Sequence, residues 1–221
     1  MSINLINSLK LLITKGTLLR DLQINECTKL KVNGLSLEFG AIDRKNKTFS
    51  NFVRGQSKFE YSNIKPNKKL NIFHSDLTKK LKIKSNKYNN ILLFNVLEHL
   101  PEYRIALSQI NRILKKKGKI IGSTPFIYQI HGAPKDYFRF SKQFFELNLK
   151  KYGFKKIKVK PLGFGPFIAS YSLVYSYLKF IPILNQLSLL LAYILDTVIQ
   201  IFVRTNLEEI FPLGYFFSAK K

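Results

Sequence analysis

Four side chains suited to chemistry crowd one short stretch of this 221-residue chain: His131, Asp136, Tyr137 and Arg139 fall within nine residues, among glycine and proline. An imidazole that titrates near neutrality can take a proton from an acceptor hydroxyl. A carboxylate, a phenol and a guanidinium can bind and orient a polar substrate. A loop so furnished reads as a substrate loop, although loops are also polar simply because they face water. His99, in Glu98-His99-Leu100, is the second candidate base, and its plainer role is to cap a loop. Glu98 and Glu102 offer a carboxylate pair, which the solvated start of a helix would explain equally well. His74 stands apart. Three scattered histidines and the single Cys27 predict no metal site and no disulfide framework, and a reducing cytoplasm fits.

The elements that must hold these groups follow from hydropathy patterning. Residues 1–32 read as helical, broken near Gly16, and 1–16 form a short amphipathic helix without signal-peptide character. Buried strands are expected over 34–40, 59–64, 70–74 and 90–95, the last an apolar run suited to a strand covered on both faces. A helix should start near Pro101 and end at Lys115–Lys117, with Gly118 as its cap. A fifth strand at 119–124, a helix at 141–152 capped by Ser141, a sixth strand at 154–160 and a last strand at 213–219 complete the pattern. Alternation of strand and helix argues for an α/β fold with a mainly parallel sheet.

Four motifs then resemble the class I S-adenosylmethionine (SAM)-dependent methyltransferases. They are Leu35-Ser-Leu-Glu-Phe-Gly40, Ser75-Asp76-Leu77, Leu92-Leu-Phe-Asn-Val-Leu-Glu-His-Leu-Pro101 and Ile113-Leu-Lys-Lys-Lys-Gly-Lys-Ile-Ile-Gly122. The resemblance implies a Rossmann-like, seven-stranded, mostly parallel sheet with helices on both faces and an apolar helical insertion before the last strand. One domain, 1–221, would comprise N-terminal helices (1–32), a core (33–161 and 212–221) and the insertion (162–211). The implied cofactor is SAM. Glu38, Gly40 and Ala41 would meet its methionine end, Asn63 its ribose, Asp76 and Leu77 its adenine edge, and Asn95, Val96 and Leu97 the mouth of the crevice. His99 or His131 would act as base, and Asp136, Tyr137 and Arg139 would bind the acceptor. The chain departs from the family in its first loop, where Ala41-Ile42-Asp43 replaces further glycines, and at Asn63, where an acid is usual. A neutral amide accepts more weakly there than a carboxylate.

The formal charge of +24 suggests nucleic acid or anionic lipid. Only seven of the 37 basic residues are arginine, however, the residue best suited to bidentate phosphate contacts, and no nucleic-acid motif lies among them. A nucleic-acid methyltransferase or binder is therefore the less favoured reading. A small-molecule or glycan-type acceptor, lipid-linked in cell-envelope polysaccharide biosynthesis, is preferred; the 124–141 stretch resembles a subgroup associated with such gene clusters. A catalytically silent Rossmann-like module that binds a membrane or a protein is the alternative. Residues 166–203 carry only Lys179 and Asp196 as charges. Asn185, Ser188, Asp196 and Gln200 fall on one side of the second stretch, which predicts a helical pair that does not span the bilayer. Its apolar face would rest on an anionic membrane surface or on a second copy, making the protein cytoplasmic and peripheral to the inner face of the membrane.

Overall fold

The computed structural model describes residues 16–42, 48–132 and 135–221; the amphipathic reading of 1–15 and the centre of the first loop lie outside them. A helix α1 (Leu18–Thr28) precedes β1 (Gly34–Phe39), β2 (Ser57–Asn63), β3 (Ile72–His74) and β4 (Tyr88–Phe94). Then come α2 (Tyr103–Ile113), β5 (Leu114–Pro125), α3 (Lys142–Lys151), β6 (Lys155–Gly163), α4 (Pro166–Leu178), α5 (Pro182–Phe202), a short α6 (Leu207–Ile210) and β7 (Pro212–Lys220). The strands form one seven-stranded sheet in the order β3-β2-β1-β4-β5-β7-β6. β1 runs parallel to β2 and β4, β2 to β3, and β4 to β5. The expected fold class is the observed one.

Why these residues form these elements is clearest at the centre. Ile91, Leu92 and Leu93 of β4 are all fully buried, so both faces of the strand are covered. In α2, Ala106, Leu107, Ile110 and Ile113 recur at helical spacing and make its buried face. Ser141 caps α3 by accepting a hydrogen bond from the Phe144 amide at 3.3 Å.

One boundary differs from the sequence reading. Lys115–Lys117 and Gly118 do not close a helix; they lie in β5, which starts directly after Ile113. Leu114 already pairs with Tyr88 of β4, and the register shifts before Asn90 meets Lys119. Lys117 takes up the irregularity with a left-handed backbone (φ 64°), and its amide donates to the Lys221 carbonyl at 3.1 Å. Sheet pairing thus overrides the helix-end appearance of the lysine run.

The chain divides into two compact units. One holds 24–125, 130–160 and 215–221; the other holds 126–129, 161–214 and, of the described residues, 16–23. In the second unit α4 and α5 pack as a pair. Asp196 of α5 is buried and accepts from the Phe167 and Ile168 amides, both at 2.9 Å, so it caps the first turn of α4. Gly165 permits the approach, since a Cβ there would sit 2.6 Å from the Asp196 carboxyl carbon. Asn185 accepts from the Tyr171 hydroxyl at 2.8 Å, and Gln200 donates to the Val203 and Thr205 carbonyls and accepts from the Leu207 amide. These three residues of the polar stripe expected from sequence are satisfied within the unit. The outward row is apolar: Ile183, Leu187, Leu191, Ile194, Val198 and Ile201 are all exposed, at helical spacing.

Candidate functional site

Parallel strands place their carboxyl ends on one edge of the sheet, where α/β folds bind ligands. The loops after β1, β2, β3 and β4 are joined there by a continuous series of contacts. The Ser75 amide donates to the Asn63 carbonyl at 3.0 Å, and the Ala41 amide to the Ser62 carbonyl at 3.2 Å. The Asn63 side-chain amide donates to the Ala41 carbonyl at 2.9 Å. Gly40 has φ +76°, and a Cβ on it would lie 2.7 Å from Val96 Cγ2, so the first turn is pressed against the loop after β4. Asn95 is left-handed (φ 53°), and its amide donates to the Ser123 carbonyl at 2.8 Å. Ala41, Leu77 and Leu97 are buried and give apolar lining. All the cofactor residues expected from sequence are therefore gathered at one edge.

Their side chains are not equally available. Glu38 is buried, and its two oxygens accept from the Phe49 and Ser50 amides at 2.8 and 2.9 Å. It fixes the Phe49–Phe52 turn, whose Phe49 ring stacks on Phe94 at 4.2 Å. Glu38 thus braces the wall of the site and offers no free carboxylate, unlike the role the resemblance implies. Asn63 is similarly engaged: its carbonyl accepts from the Lys65 amide at 3.0 Å. Asp76 accepts through Oδ1 from the Thr78 amide and hydroxyl, with Lys79 3.6 Å from Oδ2. Burial raises the Asp76 pKa, but those hydrogen bonds and Lys79 outweigh it and hold the carboxyl below its ordinary value. It stays ionised, partly exposed and able to accept from an adenine amine.

The loops after β4 and β5 are locked together. The Tyr137 and Phe138 amides both donate to the Glu98 carbonyl, at 2.8 and 3.3 Å. Arg139 grips Asp136 with two nitrogens, one of them 2.6 Å from Oδ2, and this pairing pulls the Asp136 pKa down to about 2. The same carboxylate accepts from the His131 amide at 2.9 Å and lies 3.2 Å from His131 Nδ1. His99 donates from Nδ1 to the Lys135 carbonyl at 2.7 Å, since a carbonyl can only accept. The rings of His99 and His131 meet edge to face at 5.0 Å. Tyr103, Phe138, Phe140 and Phe144 pack ring on ring beneath, which stiffens the loop. The expected base and acceptor residues are thus brought together, with Tyr137 exposed at the surface.

Sequence reasoning named Glu98 only as half of a carboxylate pair with Glu102 and not as a buried acid. Its side chain is fully buried, and neither carboxylate oxygen has a hydrogen-bond partner in another of the described residues. Burial, with Asp136 adding repulsion, pushes its pKa up to about 8. Glu102 is exposed, so the two glutamates do not form a carboxylate pair. The only sequence signal was an acid beside a histidine directly after a buried strand.

A parallel sheet carrying a glycine turn, an ionised acidic loop and a polar cluster on its carboxyl edge defines a Rossmann-like nucleotide-cofactor enzyme. A family model described as a methyltransferase domain matches residues 15–159, well over half of the sequence, and the chain belongs to that family. Its cofactor is SAM and it is a SAM-dependent methyltransferase. Among solved structures it is similar to a SAM-dependent methyltransferase from Archaeoglobus fulgidus, at 16% identity over 91% of this chain and 94% of that one, TM-score 0.58. It is also similar to Haemonchus contortus phosphoethanolamine N-methyltransferase 2 in complex with SAM, at 14% identity over 90% and 52%, TM-score 0.55. The [4+2]-cyclase SpnF shares the fold at 13% identity over 92% and 80%, TM-score 0.51. No curated protein matches the sequence.

The strand ends fit SAM. The left-handed Gly40 turn allows close backbone approach, Asp76 suits the adenine edge, and the buried Ala41, Leu77 and Leu97 suit its apolar parts. Bound there, SAM supplies an electrophilic methyl group on a sulfonium sulfur. What this chain adds is position and exclusion of water: the braced Glu38 turn on one side and the locked loops 95–99 and 135–139 on the other.

Proposed function

We propose that the enzyme methylates a small, glycan-type acceptor that is lipid-linked and presented at the inner face of the cytoplasmic membrane, in cell-envelope polysaccharide biosynthesis. The observation that carries the membrane part is the exposed apolar row of α5, with Leu187 and Leu191 each more than half exposed. The outer face is apolar because the polar residues of the helix are spent inward, which suits insertion into a lipid interface. Among the described residues α5 is the one helix long and apolar enough to cross a bilayer, but both ends of the helical pair return to the sheet. A Cβ on Gly163, at the end of β6, would lie 2.8 Å from the carbonyl of Phe211, just before β7. Crossing through α5 would require α4 to cross back, and its 13 residues reach only about 20 Å against a hydrocarbon core of about 30 Å. The pair therefore lies in one interface, and the net charge of +24 adds attraction to anionic lipid.

At the site, Asp136 and Arg139 hold the loop that frames the acceptor, and Tyr137 offers an exposed phenol to it. With no ion bound to them, an imidazole, His131 or His99, takes the proton if the acceptor is a hydroxyl. Flotation of the full chain with anionic vesicles at low salt tests the membrane half. The wild type should float, and Leu187→Glu with Leu191→Glu should not. Wild type that stays in solution overturns it, and dimers by light scattering without flotation would assign the face to a second copy. Incubation with SAM and a membrane lipid extract should yield a methylated glycolipid. Methylation confined to water-soluble small molecules would contradict the lipid-linked acceptor.

A further inference from the structure

The geometry points to a divalent transition-metal site of the zinc class, formed by Glu98, His99 and His131. One ligand atom of each lies within 4.8 Å of the other two, and His99 Nε2 is 3.9 Å from Glu98 Oε1. Two imidazoles and a carboxylate are the donors that such ions favour. This goes beyond methyl transfer, and beyond the expectation from sequence that no metal is bound: His99 and His131 lie on different loops, and only the tie between those loops makes them neighbours.

Three observations favour an ion over a chance cluster. First, Glu98 is fully buried, and neither carboxylate oxygen has a hydrogen-bond partner in another of the described residues. A buried carboxylate left so is destabilising unless something cationic meets it or it holds a proton. The positive group in its surroundings, Arg139, is committed bidentately to Asp136. Second, His99 is oriented for an ion: its Nδ1 donates to the Lys135 carbonyl, which leaves the lone pair on Nε2, 3.9 Å from Glu98 Oε1, the arrangement that orients metal-binding histidines. His131 Nδ1 lies 3.2 Å from Asp136 Oδ2, so a carboxylate stands beside the second imidazole. Third, the site is supported. The Glu98 carbonyl receives the Tyr137 and Phe138 amides, and Asp136 is held by Arg139 and by the His131 amide.

Ligands about 2.1 Å from a common ion lie about 3.4 Å apart, so the cluster, now within 4.8 Å, must close by up to about 1.4 Å. The His131 side chain, about one-third exposed at the end of its loop, has room to do so. Three protein ligands leave a fourth position open in a tetrahedral site, as in catalytic zinc sites. The atom that would fill it is an oxygen of water or of the acceptor.

The test is calorimetric titration of the full chain, stripped with chelator and desalted, with zinc chloride, repeated with cobalt(II) to read coordination from its visible spectrum. One equivalent should bind per chain, with a rise in thermal midpoint. Glu98→Gln keeps the side-chain shape and removes the bare charge, so it should fold and bind at least 10-fold more weakly, as should His131→Ala. His74→Ala, outside the cluster, should bind like wild type. Absence of saturable binding in wild type, or unchanged binding in both cluster variants, overturns the site. SAM titrations in chelator proceed independently, so loss of the metal reading leaves the methyltransferase reading intact, and the reverse.

Discussion

Two buried acids, one in each compact unit, are held in opposite ways. Asp196 of α5 meets two backbone donors, Phe167 and Ile168. Glu98, after β4, meets none from another of the described residues. Burial raises the pKa of both, but only the first has its lone pairs answered by the fold. Glu38 belongs with Asp196: it is buried, accepts from Phe49 and Ser50, and is structural despite its place in the cofactor motif. A carboxylate that the chain supplies with donors is holding backbone in place, and the one without them, at a cluster of imidazoles, is the one we assign to a metal ion. The polar residues of α5 are turned inward to such structural duty, which is why its outer face is left apolar.

If that division is right, the structural acids should cost stability when removed. The largest effect is expected for Glu38→Ala, which strands two buried amides and frees the Phe49–Phe52 turn. Urea denaturation should show a loss of about 2–4 kcal/mol, with Glu38→Gln losing less because one acceptor oxygen remains. Asp196→Ala uncaps α4 and should lose about 1–2 kcal/mol by the same measurement. Stability within error of wild type for either alanine variant would break the comparison.

Much of the fold was legible because apolar runs and helical periodicity are local. The strands, α3 with its Ser141 cap and the two-helix insertion all followed from short windows of sequence. The start of β5 did not, because a lysine run looks like a helix end until the partner strand is known, and Leu114 answers to Tyr88. The site divides in the same way. The strand-end positions of Gly40, Asn63, Asp76 and Asn95 were legible, since they depend on where strands stop. That Glu38 is spent on Phe49 and Ser50, that Asp196 is spent on α4, and that His99 meets His131 depend on contacts between distant segments, which no local pattern encodes.

The smallest expected effect concerns the outward row. Leu187→Glu with Leu191→Glu should change stability by less than about 0.5 kcal/mol in thermal denaturation without lipid, because neither side chain is buried. A large loss would mean that the row packs against another surface of the protein.

The strand ends from Gly40 to Leu97 are expected to bind SAM in spite of the altered first loop. Calorimetric titration of the full chain with SAM tests it directly. One molecule should bind per chain, and Asp76→Ala, which removes the ionised carboxylate at the adenine edge, should weaken binding at least 10-fold, about 1.4 kcal/mol. No measurable binding by a folded wild-type protein, or equal binding by Asp76→Ala, would contradict the account.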